Sequence, residues 1–186
     1  EAGQFDARAV LFAGEKAPDP EKDAWKKVRV VARASVAGRS IEHDLGDLGE
    51  IGLAKPAKVK VEIVADGDSG NPVVNADGLL ELTVTAGETI RAIVRADRSQ
   101  GFKDQVPFGK EDAGRNLPFG VFVDNIGLSG LLILEKDQER QFFLTAGPDW
   151  LEASTRAFHL RTSADGGQTT RPVILHVKPK EKVAAR

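Results

Sequence analysis

"LLELTVTAGETIRAIVRA", residues 79–96, decides the fold. Leu80, Leu82 and Val84 alternate with Glu81, Thr83 and Thr85; then Ile90, Ala92 and Val94 alternate with Arg91, Ile93 and Arg95. A period of two puts successive side chains on opposite faces of a strand, so each run has one face to bury and one to wet. Ala86-Gly87-Glu88 between the runs is turn chemistry.

The same signal recurs along the chain. "KVRVVARASV" (27–36), "KVKVEIV" (58–64), "VFVDNI" (121–126), "LLILE" (131–135), "RQFFLTA" (140–146), "AFHLRTS" (157–163) and "PVILHV" (172–177) are rich in residues that favour strands. Turns are expected at Ala37-Gly38, Gly127–Gly130 and Asp165-Gly166-Gly167. No window has a convincing amphipathic helical period. The best helical candidate is "DPEKDAWKKV" (19–28), where Asp19 would cap a short turn begun by Pro20. The reading is all-β. Short strands separated by turns every 8–12 residues point to a sandwich or small barrel, and the segment from about 76 to 178 has the size and strand count of one immunoglobulin-like sandwich.

A chain of 186 residues can bury one sizeable core, or two small ones of roughly 70–110 residues each. Lys plus Arg is 26 and Asp plus Glu is 28, a net charge of −2 that argues against a nucleic-acid partner. No apolar run approaches the ~20 residues of a membrane span, and no signal-peptide pattern opens the chain. With Glu1 first and no methionine anywhere, residue 1 is not read as a translation start, and composition leaves the compartment open. The absence of cysteine excludes disulfides, thiolate metal sites and a cysteine nucleophile.

An internal repeat is expected. Residues 10–45 and 142–177 share an order of features: an apolar strand ending in Ala-Gly, a polar loop with Pro and Trp, a long strand, a Gly-containing turn and a final strand. On that match residues 1–55 are the closing half of a first sandwich whose opening strands lie upstream. Alternatively, the strands of 1–64 complete a smaller sheet or pack on the second module.

Between the halves lies "ADGDSGNPVVNADG" (65–78), which allows three readings. Gly67-Asp68-Ser69-Gly70-Asn71-Pro72 is similar to the nucleophile segment of chymotrypsin-like proteases. That reading needs a base and an orienting acid, and His43 is the sole histidine upstream of Ser69, in surroundings unlike those of that family. Asp66, Asp68 and Asp77 mimic three positions of a calcium loop, although Asn71 stands where such a loop has glycine. "EHDLGDLGE" (42–50), with Asp44 and Asp47, is read as a second acidic loop. Calcium ligation by these five aspartates is weighed against plain solvated turns. The third reading, a linker between modules, is preferred.

His159 and His176 lie in apolar strands and could meet across a ladder, but no third ligand is evident. Trp25 and Trp150 occupy matching places in the repeat. Either indole could stack on a sugar ring, or cap the end of a sandwich core with its N–H wet, and the capping role is preferred.

The run 101–146 resembles bacterial immunoglobulin-like domains that occur in tandem near pre-peptidase C-terminal domains of large exported proteins. The resemblance rests on Gly101-Phe102, Val106, Leu117-Pro118, Gly120-Val121 and Arg140 to Ala146, and on the closing "GGQTTRPVILHVKP" (166–179). It covers about 100 of the 186 residues. It implies an exported, non-catalytic spacer or interaction module, with no catalytic residues to carry over, and partners that are other domains of a parent protein or a partner protein. The expectation is therefore all-β, an immunoglobulin-like β-sandwich in two tandem modules, the first partial: a β module over 1–64, a linker over 65–78, a sandwich over 79–179 and a polar tail over 180–186. No cofactor is expected; calcium and carbohydrate stay open as ligands.

Overall fold

The computed structural model describes residues 8–14, 16–109, 113–124 and 130–181. Asn125 and Ile126 of the expected strand 121–126, residues 127–129 of the expected turn, and residues 182–186 of the expected tail lie outside them. The described residues are nearly all β, with several antiparallel sheets and no α-helix. In chain order the strands are β1 (Arg29–Val36), β2 (Arg39–Asp47), β3 (Val59–Ala65), β4 (Val73–Val74), β5 (Leu80–Thr85), β6 (Thr89–Arg98) and β7 (Val106–Phe108). There follow β8 (Val121–Asp124), β9 (Leu131–Ile133), β10 (Glu139–Ala146), β11 (Ser154–Phe158), β12 (Arg161–Thr162), β13 (Gln168–Thr169) and β14 (Val173–Lys178). The chain divides into two compact units, Phe12–Pro56 and Glu1–Leu11 with Ala57–Arg186.

The smaller unit is a hairpin preceded by a single 3₁₀ turn at Ala24–Lys27. The turn starts later than expected: Asp23, in the left-handed region at φ 61°, precedes it, and Asp19 does not cap it. Val36↔Arg39 closes the hairpin over Ala37-Gly38, both at positive φ. Arg33 binds Glu42 at 2.6 Å and Arg29 binds Asp44 at 2.7 Å on one face. The register gives Ala32, Ala34, Val36, Ile41 and His43 to the other face. The acidic stretch from residue 42 was expected as a loop. Its first six residues are the last six of the nine in β2, because Ile41 and Leu45 keep a strand's alternation with charged neighbours. None of the described residues of this unit is buried.

In the larger unit two four-stranded sheets enclose one core. The first runs β3-β6-β10-β8, antiparallel throughout; the second runs β11-β14-β5-β4, with β14 and β5 parallel. Two short ladders, β7-β9 and β12-β13, accompany them. The two-residue period explains which faces turn inward. Val59, Val61 and Ile63 of β3, Leu82 and Val84 of β5, Ile90, Ala92 and Val94 of β6, Phe142 and Leu144 of β10, and Leu175 and Val177 of β14 belong to one buried cluster. Across β6 and β10 the small Ala92 faces Phe142, so bulk alternates with space. Each large apolar side chain so buried contributes about 1.5–3 kcal/mol.

The units divide at 11/12 and at 56/57, not at the expected 64/65. The strand 59–65 pairs along its whole length with β6 and supplies three core residues, so it belongs with the strands that follow it. The segment 65–78 consequently joins the two sheets of one unit rather than two modules. It is also anchored: Ser69 N donates to Asp66 O, Asn71 N to Asp68 O and Thr83 N to Gly70 O at 2.7 Å, while Val73 and Val74 pair with β5. Gly70 sits at φ +74°, and a Cβ there would lie 2.8 Å from Ile90 Cδ1. Left-handed strain and crowding against a core side chain both oppose any substitution. Gly70→Ala is expected to lower unfolding free energy by about 2–4 kcal/mol, read from urea midpoints; a change below about 0.5 kcal/mol would show that the crossover is not held against the core.

Candidate functional site

The parallel pairing of β14 with β5 sets His176 level with Thr83, and the antiparallel pairing with β11 sets it opposite Thr155. On the face turned away from the core, His176 Nε2 lies 2.9 Å from Glu81 Oε2, and its Nδ1 lies 2.9 Å from Thr155 Oγ1. Asn75 Nδ2 donates to the other oxygen of Glu81 at 2.9 Å, while Asn75 Oδ1 accepts from the backbone N–H of Asp77 and of Leu79. One chain of bonds therefore ties β11, β14, β5 and the end of the crossover together. It borders a shallow depression edged by Thr83, Ser154 and Lys178.

The order hydroxyl, imidazole, carboxylate is also the order of a nucleophile, its base and an orienting acid. Here the three groups stand side by side on consecutive strands, and each bond cross-links two of them. The bonds from His176, first, and Asn75 favour the ionised Glu81 and hold its carboxyl below its ordinary value of 4.5. Sequence reading singled out His176 but not Thr155 or Glu81, because both come to it through long-range register.

His159 has a different environment. It is buried, and its backbone N–H and C=O pair with those of Arg115. Desolvation, reinforced by the charges of Arg115 and Arg8, pushes its imidazole below the ordinary 6.5 and so favours the neutral form. The two histidines do not meet, because the residue opposite His176 is Thr155, four positions before His159.

The aspartates considered for calcium are spread over both units. Asp66 lies 3.2 Å from Arg91 Nε and accepts from Gln141 Nε2 at 2.6 Å. Asp44 accepts from Arg29 and from Gly46 N, and Asp47 from Gly49 N. Asp68 and Asp77 enter the turns of the crossover through their backbone groups. No three carboxylates or imidazoles converge as a metal-binding group among the described residues. With Asp66 and Asp44 already engaged by guanidinium groups, millimolar calcium is expected to leave the thermal midpoint unmoved relative to excess EDTA. A rise of several degrees would reassign these loops as ligands.

Ser69 Oγ accepts the backbone N–H of Arg91 at 2.8 Å, which pins the crossover to the start of β6, and His43 lies in the hairpin β1–β2. Trp25 belongs to the 3₁₀ turn, with Lys26 Nζ 5.2 Å from its ring centre. Trp150 does not cap the core. It is 67 % exposed and pairs with the exposed Phe119, ring centres 6.4 Å apart and tilted by 40°, while its neighbour Leu151 turns inward. No protein-family model matches the chain, and no curated protein is significantly similar to it.

Two acid-sensitive windows follow from the shifted groups. A group whose folded pKa lies below its unfolded value adds stability that is complete above the unfolded value and is lost as pH falls through the folded one. His159 acts so below its ordinary 6.5, and Glu81 acts so below its ordinary 4.5. Urea midpoints between about pH 7 and pH 3 are therefore expected to fall in two stages. Asp44, held low by Arg29, adds to the lower stage, so Glu81→Gln should shrink that stage and leave the upper one in place; an unchanged lower stage would dismiss the Glu81–His176 bond as a contributor.

Proposed function

We propose that the larger unit is an immunoglobulin-like β-sandwich and that the chain is a non-catalytic spacer or docking module of a larger exported protein. Strand order supports the fold assignment. The sheet β3-β6-β10-β8 follows the A-B-E-D order of that fold when read in chain order. The pair β14-β11 follows as G and F, and the antiparallel bridge Arg115↔His159 joins the segment after β7 to the end of β11, where strand C meets F.

The observation that carries the spacer role is where the chain returns to this unit after the hairpin, at Ala57, and where it leaves the last strand. Strand β3 is antiparallel to β6, which reverses β5 through the turn at Ala86-Gly87, and β5 is parallel to β14. First and last strands therefore run the same way. Lys58 sits at the Ser99 end of β6, and Lys178 sits at the Ala86 end. Ten residues of β6 separate these ends, about 33 Å. A domain entered at one pole and left at the other lengthens a chain, whereas domains with adjacent termini can be inserted without doing so. Tension between the poles loads the β3–β6 and β5–β14 ladders lengthwise, so that their bonds must break together.

Because the chain has no native cysteine, handles can be attached at engineered ones. Stretched between Ala57→Cys and Lys180→Cys, the unit is expected to unfold at several times the force needed between Ala57→Cys and Ser99→Cys, which peels β3 from one end. Equal forces would remove the mechanical argument for a spacer.

A second reading is favoured by one observation, the exposed pair Trp150 and Phe119. Such faces can stack on a pyranose ring, which makes a carbohydrate-binding role the alternative. Saturable quenching of indole fluorescence by a soluble oligosaccharide, lost in Trp150→Ala, would favour it over the spacer.

A further inference from the structure

A cleft of about 350 Å³ opens where the two sheets of the larger unit part, between β3, the start of β5 and the start of β14. Ile63, Ala65, Val74, Leu79 and Leu80 are among the residues that line it, and its exposed lining is chiefly apolar. The crossover 65–78 carries the chain from one sheet to the other, and its Pro72, Val73 and Val74 line the cleft together with Glu62 to Ala65 of β3. This volume lies in the range of small-molecule sites, which combine an apolar wall with a few polar groups that orient the ligand.

Two charged residues stand at the cleft, and they are not equivalent. Glu62 has a cation of its own on the neighbouring strand, Arg95 Nη1 at 3.6 Å. Arg171 is exposed and has no carboxylate partner among the described residues. Pro172 and the buried Val173 follow it directly, so the guanidinium is rooted at the rim of an apolar wall. A guanidinium binds a carboxylate through paired, charge-assisted hydrogen bonds, whose strength grows when one side is shielded from water.

We propose that this cleft binds a small amphiphilic monocarboxylate, its hydrocarbon body lying between β3 and β4–β5 and its carboxylate on Arg171. A peptide C-terminus offers the same chemistry, but it would need a ladder to hold its backbone, and β4 is only two residues long. The free acid is therefore the occupant to which the geometry points. This assignment is independent of the spacer role, which rests on strand direction.

Isothermal titration of the full chain with octanoate tests it, with octanamide as the uncharged counterpart. Octanoate is expected to bind saturably in the sub-millimolar range, and octanamide about tenfold more weakly. Arg171→Gln should bring octanoate down to the level of octanamide, and Val74→Trp, at a 68 % exposed position, should fill the cleft and abolish binding of both. Any of four results overturns the proposal: no saturable heat with octanoate up to about 10 mM, equal affinity for acid and amide, binding that survives Val74→Trp, or tighter binding of an acetylated Ala-Val-Leu peptide with a free carboxylate than of octanoate.

Discussion

Glu81–Thr85 and Ile174–Lys178 run side by side and in the same direction, and most of the larger unit depends on that parallel ladder. It joins strands far apart in the chain, so it forms only after a long loop has been closed, at an entropic cost that grows with the logarithm of loop length. Once made, it brings Leu82 and Val84 alongside Leu175 and Val177, one continuous inner surface for the second sheet. It also settles the direction of the last strand. A hairpin would have returned the chain to the pole where it entered; the parallel ladder sends it out at the other.

The same ladder has an outer face, and strand alternation determines what stands there. Burying Leu175 and Val177 leaves His176 facing water beside Glu81, within reach of Thr155. The polar chain of Asn75, Glu81, His176 and Thr155 is thus the reverse side of the core. On the first sheet the equivalent outer face carries Arg95 between Glu62 and Glu139, and Arg91 beside Asp66. Exposed pairs of this kind contribute about 0–1 kcal/mol each, and they also make the sheet a poor template for aggregation.

The crossover 65–78 combines features that pull in different directions in the sequence. Its Gly, Asp, Ser and Pro content reads as a loop free of the core, yet Gly70 lies against Ile90 and Ser69 Oγ holds Arg91 N. Composition reports what a segment can tolerate, and a glycine that only packs closely looks the same as one that only bends. The side chains that make this loop specific belong to β6 and β5, which follow it.

Strand existence was legible for a simple reason: the alternation of Leu82, Val84, Ile90, Ala92 and Val94 with polar neighbours is a local pattern, and burial of one face requires it wherever the strand ends up. Short edges such as β4, β7 and β13 carry two or three residues and no pattern to read. The strand 39–47 was obscured by its acidic residues, whose charges are answered by Arg29 and Arg33 across the hairpin. Residues 79–96 by themselves determined that two strands form, where they turn and which face of each is apolar. Only the tertiary structure decided that the first of them pairs in parallel with residues 174–178, that the strand at 59–65 belongs with them, and that Glu81 and Thr155 meet His176. Those outcomes depend on which sheet edges find each other across the core, a choice between partners far apart in the chain, and hydrophobic periodicity is the same for every partner that could have been chosen.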